Sequence, residues 1–246
     1  MKVPVIQNSQ RRVIEKEILT RLGKSLLKFG FDPKVSGQSF RRPLAREMWA
    51  FHVSFIPHQT DLDLTADVAI RIQAIEDLVN QYDTKPSPAE KRQSMTLGGE
   101  IGNISLGRQL RWTVADPDDL DHVCQDVINA FERTGLPFLK GHSDIGVVHR
   151  VLTSSDSKET LLCPILGPRA MRAVASATYL SKRTNFPGSR SGLRTGWLKR
   201  TICIWKTFVL CRRRFWPDTP DIHKICSAAS DLVTDVVIER NSCVRK

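Results

Sequence analysis

Four side chains between positions 52 and 63 are of the types that hold metals: His52, His58, Asp61 and Asp63. Imidazole and carboxylate suit zinc or iron, and either ion needs at least three such ligands to converge. The alternation of the flanking residues puts His52 on the polar face of a strand and His58 beyond its end. The pattern therefore predicts two exposed histidines rather than a metal centre. Gly98-Gly99-Glu100-Ile101-Gly102 has the glycine density of a phosphate loop, but neither GKS/T nor GxGxxG, and it reads as turns between strands. His122 and Cys124 lie two apart on a predicted helix and so do not face each other. Cys124 reads as a half-buried helix residue, and Cys163, before Pro164, has no evident base. Asp116, Asp118, Asp119 and Asp121 lack the sixth-position glycine and closing glutamate of a calcium loop. No nucleophile–base pair, carboxylate dyad or metal cluster is legible. The expectation is no catalytic residue, no cofactor and no resident metal.

Two sets of residues remain as binding candidates. Arg41, Arg42, Trp49 and Arg111 surround a ligand cleft expected between the sheet and the first helix. The second set lies near the C-terminus. Lys199, Arg200, Arg212, Arg213 and Arg214 interleave with Trp205, Phe215 and Trp216, a composition that neutralises phosphates and stacks bases. Ile202, Ile204, Phe208, Val209 and Leu210 would let the same stretch lie on an anionic membrane surface.

The net charge of +11 is concentrated in this region. Residues 182–246 hold 14 Lys/Arg and 5 Asp/Glu, against 23 and 21 in residues 1–181. They also hold Cys203, Cys211, Cys226 and Cys243, four of the six cysteines. No period of two or of 3.6 runs through them. The genetic code supplies a test of this stretch. Trp is always TGG, so reading each codon one base earlier turns Lys206 into Glu and Pro217 into Ala without choice. The neighbouring codons can then spell acidic, leucine-bearing text such as Asp-Asp-Leu-Tyr-Leu-Glu over 201–206. The favoured reading is an out-of-frame segment, poorly packed against the rest; the alternative is a genuine basic tail.

The elements that must position the earlier candidates are clearer. Val13, Ile14, Ile18, Leu22, Leu26 and Phe29 predict an amphipathic helix over Ser9–Phe29, stopped by Gly30. Strands are predicted at Ser39–Arg42, Met48–Pro57 and Leu62–Ile72, then a helix over Gln73–Tyr82. Asp83–Gln93 reads as a polar loop, and Met95–Val114 as a strand pair with tight turns. Asp116 caps a helix with Pro117 in its first turn, running to about Arg133 and ended by Gly135. Leu136–Leu139 reads as an extended connector, and short helices follow near 143–153 and 168–181. Trp49, Phe51, Trp112 and Phe138 are expected in the core or lining a cleft.

The sum is an α+β domain over residues 1–181, with an antiparallel sheet of about four to five strands and flanking helices. The basic segment 182–246 follows it. The first twelve residues hold no apolar signal core, and the stretch 201–211 is too short and too charged to span a bilayer, so a cytoplasmic protein with reduced thiols is expected.

Lys28-Phe29-Gly30-Phe31 at the end of the first helix, Phe40-Arg41 on a short strand, two long apolar strands, a Trp strand running into a helix, and Leu136-Pro137-Phe138-Leu139 together resemble an uncharacterised bacterial domain family, domain of unknown function four-three-zero-four. The resemblance covers about residues 10–180. It implies an α+β fold and carries over no activity and no catalytic residues. The expected function is a non-catalytic binding or interaction module in a bacterial cytoplasm, with a protein partner as one candidate. The alternative is nucleic-acid binding through the basic segment.

Overall fold

The structure, a computed structural model, describes residues 8–184 other than 36, 84 and 85. It opens with helix α1, Asn8–Leu26, whose Ile18, Leu22 and Leu26 recur every four residues and are fully buried. Val13, expected on the same stripe, is exposed. A 3-10 turn, Leu27–Phe29, closes the helix at Gly30, which takes φ 79° and donates its N–H to the Leu27 carbonyl.

Three antiparallel strands follow: β1 (Ser39–Pro43), β2 (Glu47–Pro57) and β3 (Leu62–Ile72). β-branched and aromatic residues alternate along β2 and β3, so one pleat face carries Phe51, Val53, Leu64, Val68 and Ile70, all fully buried. β3 runs straight into α2 (Gln73–Tyr82).

The segments 83–93 and 95–114 depart from expectation. Ser87 accepts from the Glu90 N–H while the Glu90 side chain accepts from the Ser87 N–H, a capping box that starts a short helix α3 (Pro88–Gln93). β4 (Leu97–Glu100) and β5 (Trp112–Val114) do not pair with each other. Both pair with β3, at residues 67–70 and 62–64, and helix α4 (Ile101–Leu106) fills the space between. Glu100 makes that helix: its carboxylate accepts from the N–H groups of Gly102, Asn103 and Leu110. The five-stranded sheet has the order β1-β2-β3-β4, with β5 beside β4 on the far edge of β3.

Asp116 caps a 3-10 turn (Pro117–Asp119) that opens α5 (Leu120–Ala130). Gly135 does not end this helix. The chain widens into one π turn, Phe131–Gly135, in which the Leu136 N–H reaches back to the Phe131 carbonyl, and continues as α6 (Leu136–Gly141). Leu136–Leu139 is therefore helical, not extended. Pro137 gives the reason: it lacks an N–H and crowds the carbonyl one turn back, and a widened turn makes room for it. The π turn also seats Phe131 against Phe29, Phe31 and Phe51, edge to face, at 5.2, 5.6 and 5.3 Å between ring centres. This cluster joins the helices to the sheet and anchors the core.

Helices α7 (Ile145–Thr153), α8 (Ser157–Leu161) and α9 (Leu166–Thr184) complete the described chain. α9 packs on α7 and α2. The architecture is α+β, an open antiparallel sheet with flanking helices. The expected basic segment after residue 184 lies outside the described residues.

Candidate functional site

Register decides what the sheet face away from Phe51 and Val68 presents. β1 lays Ser39 opposite His52, β2 lays His52 opposite Asp67, and β3 lays Asp67 opposite Glu100. Cross-strand partners point the same way, so these four form one row across four strands. The next row is Arg41, Ala50, Ala69 and Gly98. Its three small residues form a floor beside the polar row, with Ala50 buried and Ala69 and Gly98 half-buried. Gly98 must be small: a Cβ there would lie 2.9 Å from the Ala69 Cβ and 3.0 Å from the Val68 carbonyl. Arg71 borders the floor on the other side, fixed by its hydrogen bonds to the Lys91 and Ser94 carbonyls at 3.0 and 2.7 Å.

Within the polar row, Ser39 Oγ and His52 Nδ1 are 2.8 Å apart. Burial raises the Asp67 carboxyl above its usual range, His52 works against the rise, and Glu100 adds to it. Among the described residues no hydrogen bond joins Asp67 to His52. A Ser–His–Asp relay needs the carboxylate on one ring nitrogen and the hydroxyl on the other, and this geometry does not assemble one. At the end of the floor the half-buried Arg41 has its Nε shielded from solvent with no hydrogen-bond partner.

The four residues expected around one cleft are distributed over the sheet. Arg42 and Trp49 meet on the helix-covered face, with the guanidinium 4.7 Å from the indole ring centre. Arg41 points to the other face. Arg111 lies at β5, where its guanidinium is 3.6 Å from Asp63. Phe51, Trp49 and Phe138 are buried and Trp112 is half-buried, as core packing requires.

Of the metal-type residues, His52 belongs to the polar row, while His58, Asp61 and Asp63 converge at the β2–β3 turn with ligand atoms within 4.8 Å of one another. His58 is exposed, as expected, yet its imidazole turns back onto Asp63. Sequence reasoning placed His58 past the strand end without foreseeing that the turn folds it over the next strand.

The two described cysteines are poor nucleophiles. Burial pushes the Cys124 thiol up to about 11, and it also raises the Cys163 thiol although Arg172 opposes it. His122 faces Asp126, not Cys124. Asp116 and Asp119 cap the turn before α5, and Asp121 pairs with Arg21. A buried pair escaped the sequence reading: Glu76, fully buried, binds Arg172 with Thr96 donating to it. Its signal, a lone Glu in the apolar face of α2, is visible only once that face is known to be covered.

Among the described residues no helix is long and apolar enough to cross a membrane. Lys199, Arg200, Trp205, Arg212, Arg213, Arg214 and Trp216 lie outside the described residues. Comparison with family models, with curated proteins and with solved structures finds no match for this chain.

Proposed function

We propose that this is a non-catalytic binding module that takes a small organic anion at the half-buried Arg41. The supporting observation is the Arg41 Nε, a shielded donor with no acceptor, because such groups normally find a partner in the protein, in water or in a ligand. A carboxylate or phosphate group on Arg41 would satisfy it with a charge-assisted bond. A second polar group of the ligand would reach the Ser39–His52 pair or Asp67, which lie on the same face as Arg41. The same reading places the protein in a bacterial cytoplasm and in the family that its helix-end, Phe-Arg and Leu-Pro-Phe-Leu segments resemble.

The test is thermal unfolding of the full chain with a panel of phosphate, citrate and amino-acid carboxylates. A ligand at about a hundredfold above its Kd adds roughly 2.7 kcal/mol to stability. The expected result is a rise in Tm with at least one anion that Arg41→Ala abolishes and Trp112→Phe retains. An equal rise in Arg41→Ala overturns the site, and turnover of any bound compound overturns the non-catalytic reading.

A second reading rests on the charge of residues 182–246, which is nucleic-acid binding by that segment. It expects affinity that falls steeply with salt and disappears when residues 184–246 are removed. Resequencing the gene across codons 170–235 comes first. An open neighbouring frame spelling the acidic ending removes this reading, and early stops in that frame keep it.

A further inference from the structure

We propose that His58, Asp61 and Asp63 form a binding site for one divalent first-row transition ion at the β2–β3 turn, separate from the Arg41 site. The turn is built for convergence. The His58 N–H bonds to the Asp61 carbonyl at 3.0 Å, which folds the four-residue link back so that residues 58, 61 and 63 present to one side. His58 Nε2 and Asp63 Oδ2 are 3.2 Å apart, and two ligands on one zinc with bonds near 2.1 Å would be separated by ~3.0 to ~3.4 Å. The Asp61 carboxylate, which accepts from the Thr60 hydroxyl at 3.2 Å, lies within 4.8 Å of both and would have to turn inward to complete the set. One imidazole and two carboxylates favour zinc, cobalt, iron or manganese over magnesium or calcium, which prefer oxygen alone.

Residues outside the cluster orient the central ligand. Thr113 Oγ1, from β5, donates to Asp63 Oδ1 at 2.6 Å and leaves Oδ2 turned to His58. A hydroxyl holding the second oxygen of a metal-bound carboxylate is the usual supporting contact of such sites. Arg111 is 3.6 Å from Oδ2, with about half its side chain in solvent. Held by Gln109 at 2.9 Å, it sets a positive charge beside the oxygen that a bound cation would take. The Arg11 guanidinium donates to the His58 carbonyl and fixes the turn without using the imidazole.

The experiment is titration of the full chain with Zn2+ by calorimetry, after alkylation of accessible thiols so that the cysteines of residues 182–246 do not compete. The expected result is one ion per chain, with affinity reduced at least about tenfold in both His58→Ala and Asp61→Ala. Arg111→Ala should bind more tightly by a few-fold, because a competing positive charge is gone. That gain separates metal binding from a purely structural role of the turn. Far-UV circular dichroism and Tm of the two exposed-turn variants check that the fold persists. Absence of binding, or affinity unchanged in either His58→Ala or Asp61→Ala, overturns the site.

Discussion

Glu76 on α2 and Arg172 on α9, 96 residues apart, form a two-point ion pair at 2.7 and 3.2 Å with the carboxylate fully buried. The pair joins the helix that continues β3 to the last described helix. Thr96 donates to the same carboxylate at 2.9 Å, so the charge is both paired and hydrogen-bonded. Removing one partner strands the other in the core. Arg172→Met is therefore expected to destabilise by about 3–5 kcal/mol, and the double variant Glu76→Leu/Arg172→Met by much less. Urea unfolding of the three proteins measures this; equal losses in single and double variants would refute the pairing argument.

The same pair predicts an acid transition. Burial alone would raise the Glu76 carboxyl, but Arg172, with Ser94 and Thr96, outweighs it and holds the group below its usual value. A depressed carboxyl contributes stability that is present above its unfolded pKa of ~4.3 and is lost as pH falls through its folded value. His149 adds to this from a higher pH. Burial lowers its pKa, so it stays neutral in the fold and costs stability as pH drops below its unfolded value of ~6.5. Stability should fall in two stages, beginning near pH 6.5 and again below pH ~4.3, with His149→Gln removing the first. A pH series of urea midpoints, in which the upper stage persists in His149→Gln, would assign it elsewhere.

Asp67 has the opposite sign. Its carboxyl is raised by burial and by Glu100, with His52 opposing, so ionisation above the folded value costs stability. Asp67→Asn should raise Tm at pH 8, and the gain should shrink as pH falls and the acid takes up its proton. The gain should come with weaker binding of any ligand whose second polar group uses Asp67. A lower Tm at pH 8 would mean that the carboxylate is satisfied in the fold.

Two glycines of the β4–β5 region separate packing from backbone strain. A Cβ on Gly102 would stand 2.5 Å from the Leu110 N and 2.6 Å from the Arg108 carbonyl, both main-chain atoms that cannot move aside singly. Gly102→Ala is expected to cost roughly 3 kcal/mol. Gly107 has φ +69° and nothing within 4 Å of a built Cβ, so Gly107→Ala should cost only ~1–2 kcal/mol from the left-handed backbone. Similar losses by chemical denaturation would contradict this division.

The two described cysteines should be protected in the native protein. Cys124 and Cys163 are buried, with Cys124 held up to about 11. At pH 8 both should resist a thiol reagent that labels them at once in urea. Peptide mapping reads the result site by site, and rapid native labelling of Cys124 would show that the α1–α5 contact opens.

The sequence by itself determined the elements whose signals are local. The four-residue stripe Ile18–Leu22–Leu26 with Gly30 behind it fixed α1, and the two-residue alternation of 47–57 and 62–72 fixed β2 and β3. Asp116 and Pro117 marked the start of the helical run to α5, because capping satisfies nearby N–H groups and needs no distant partner. Tertiary structure decided what depends on contacts between distant residues. Leu136–Leu139 is helical because the π turn before it makes room for Pro137 and is held by Phe131 packing on Phe29, Phe31 and Phe51. β4 and β5 both pair with β3 because Glu100 starts a helix between them. The row Ser39–His52–Asp67–Glu100 exists only through strand register, since a slip of one residue would send a strand's side chains to the other face, and His58, Asp61 and Asp63 meet only because the β2–β3 turn folds back on β3.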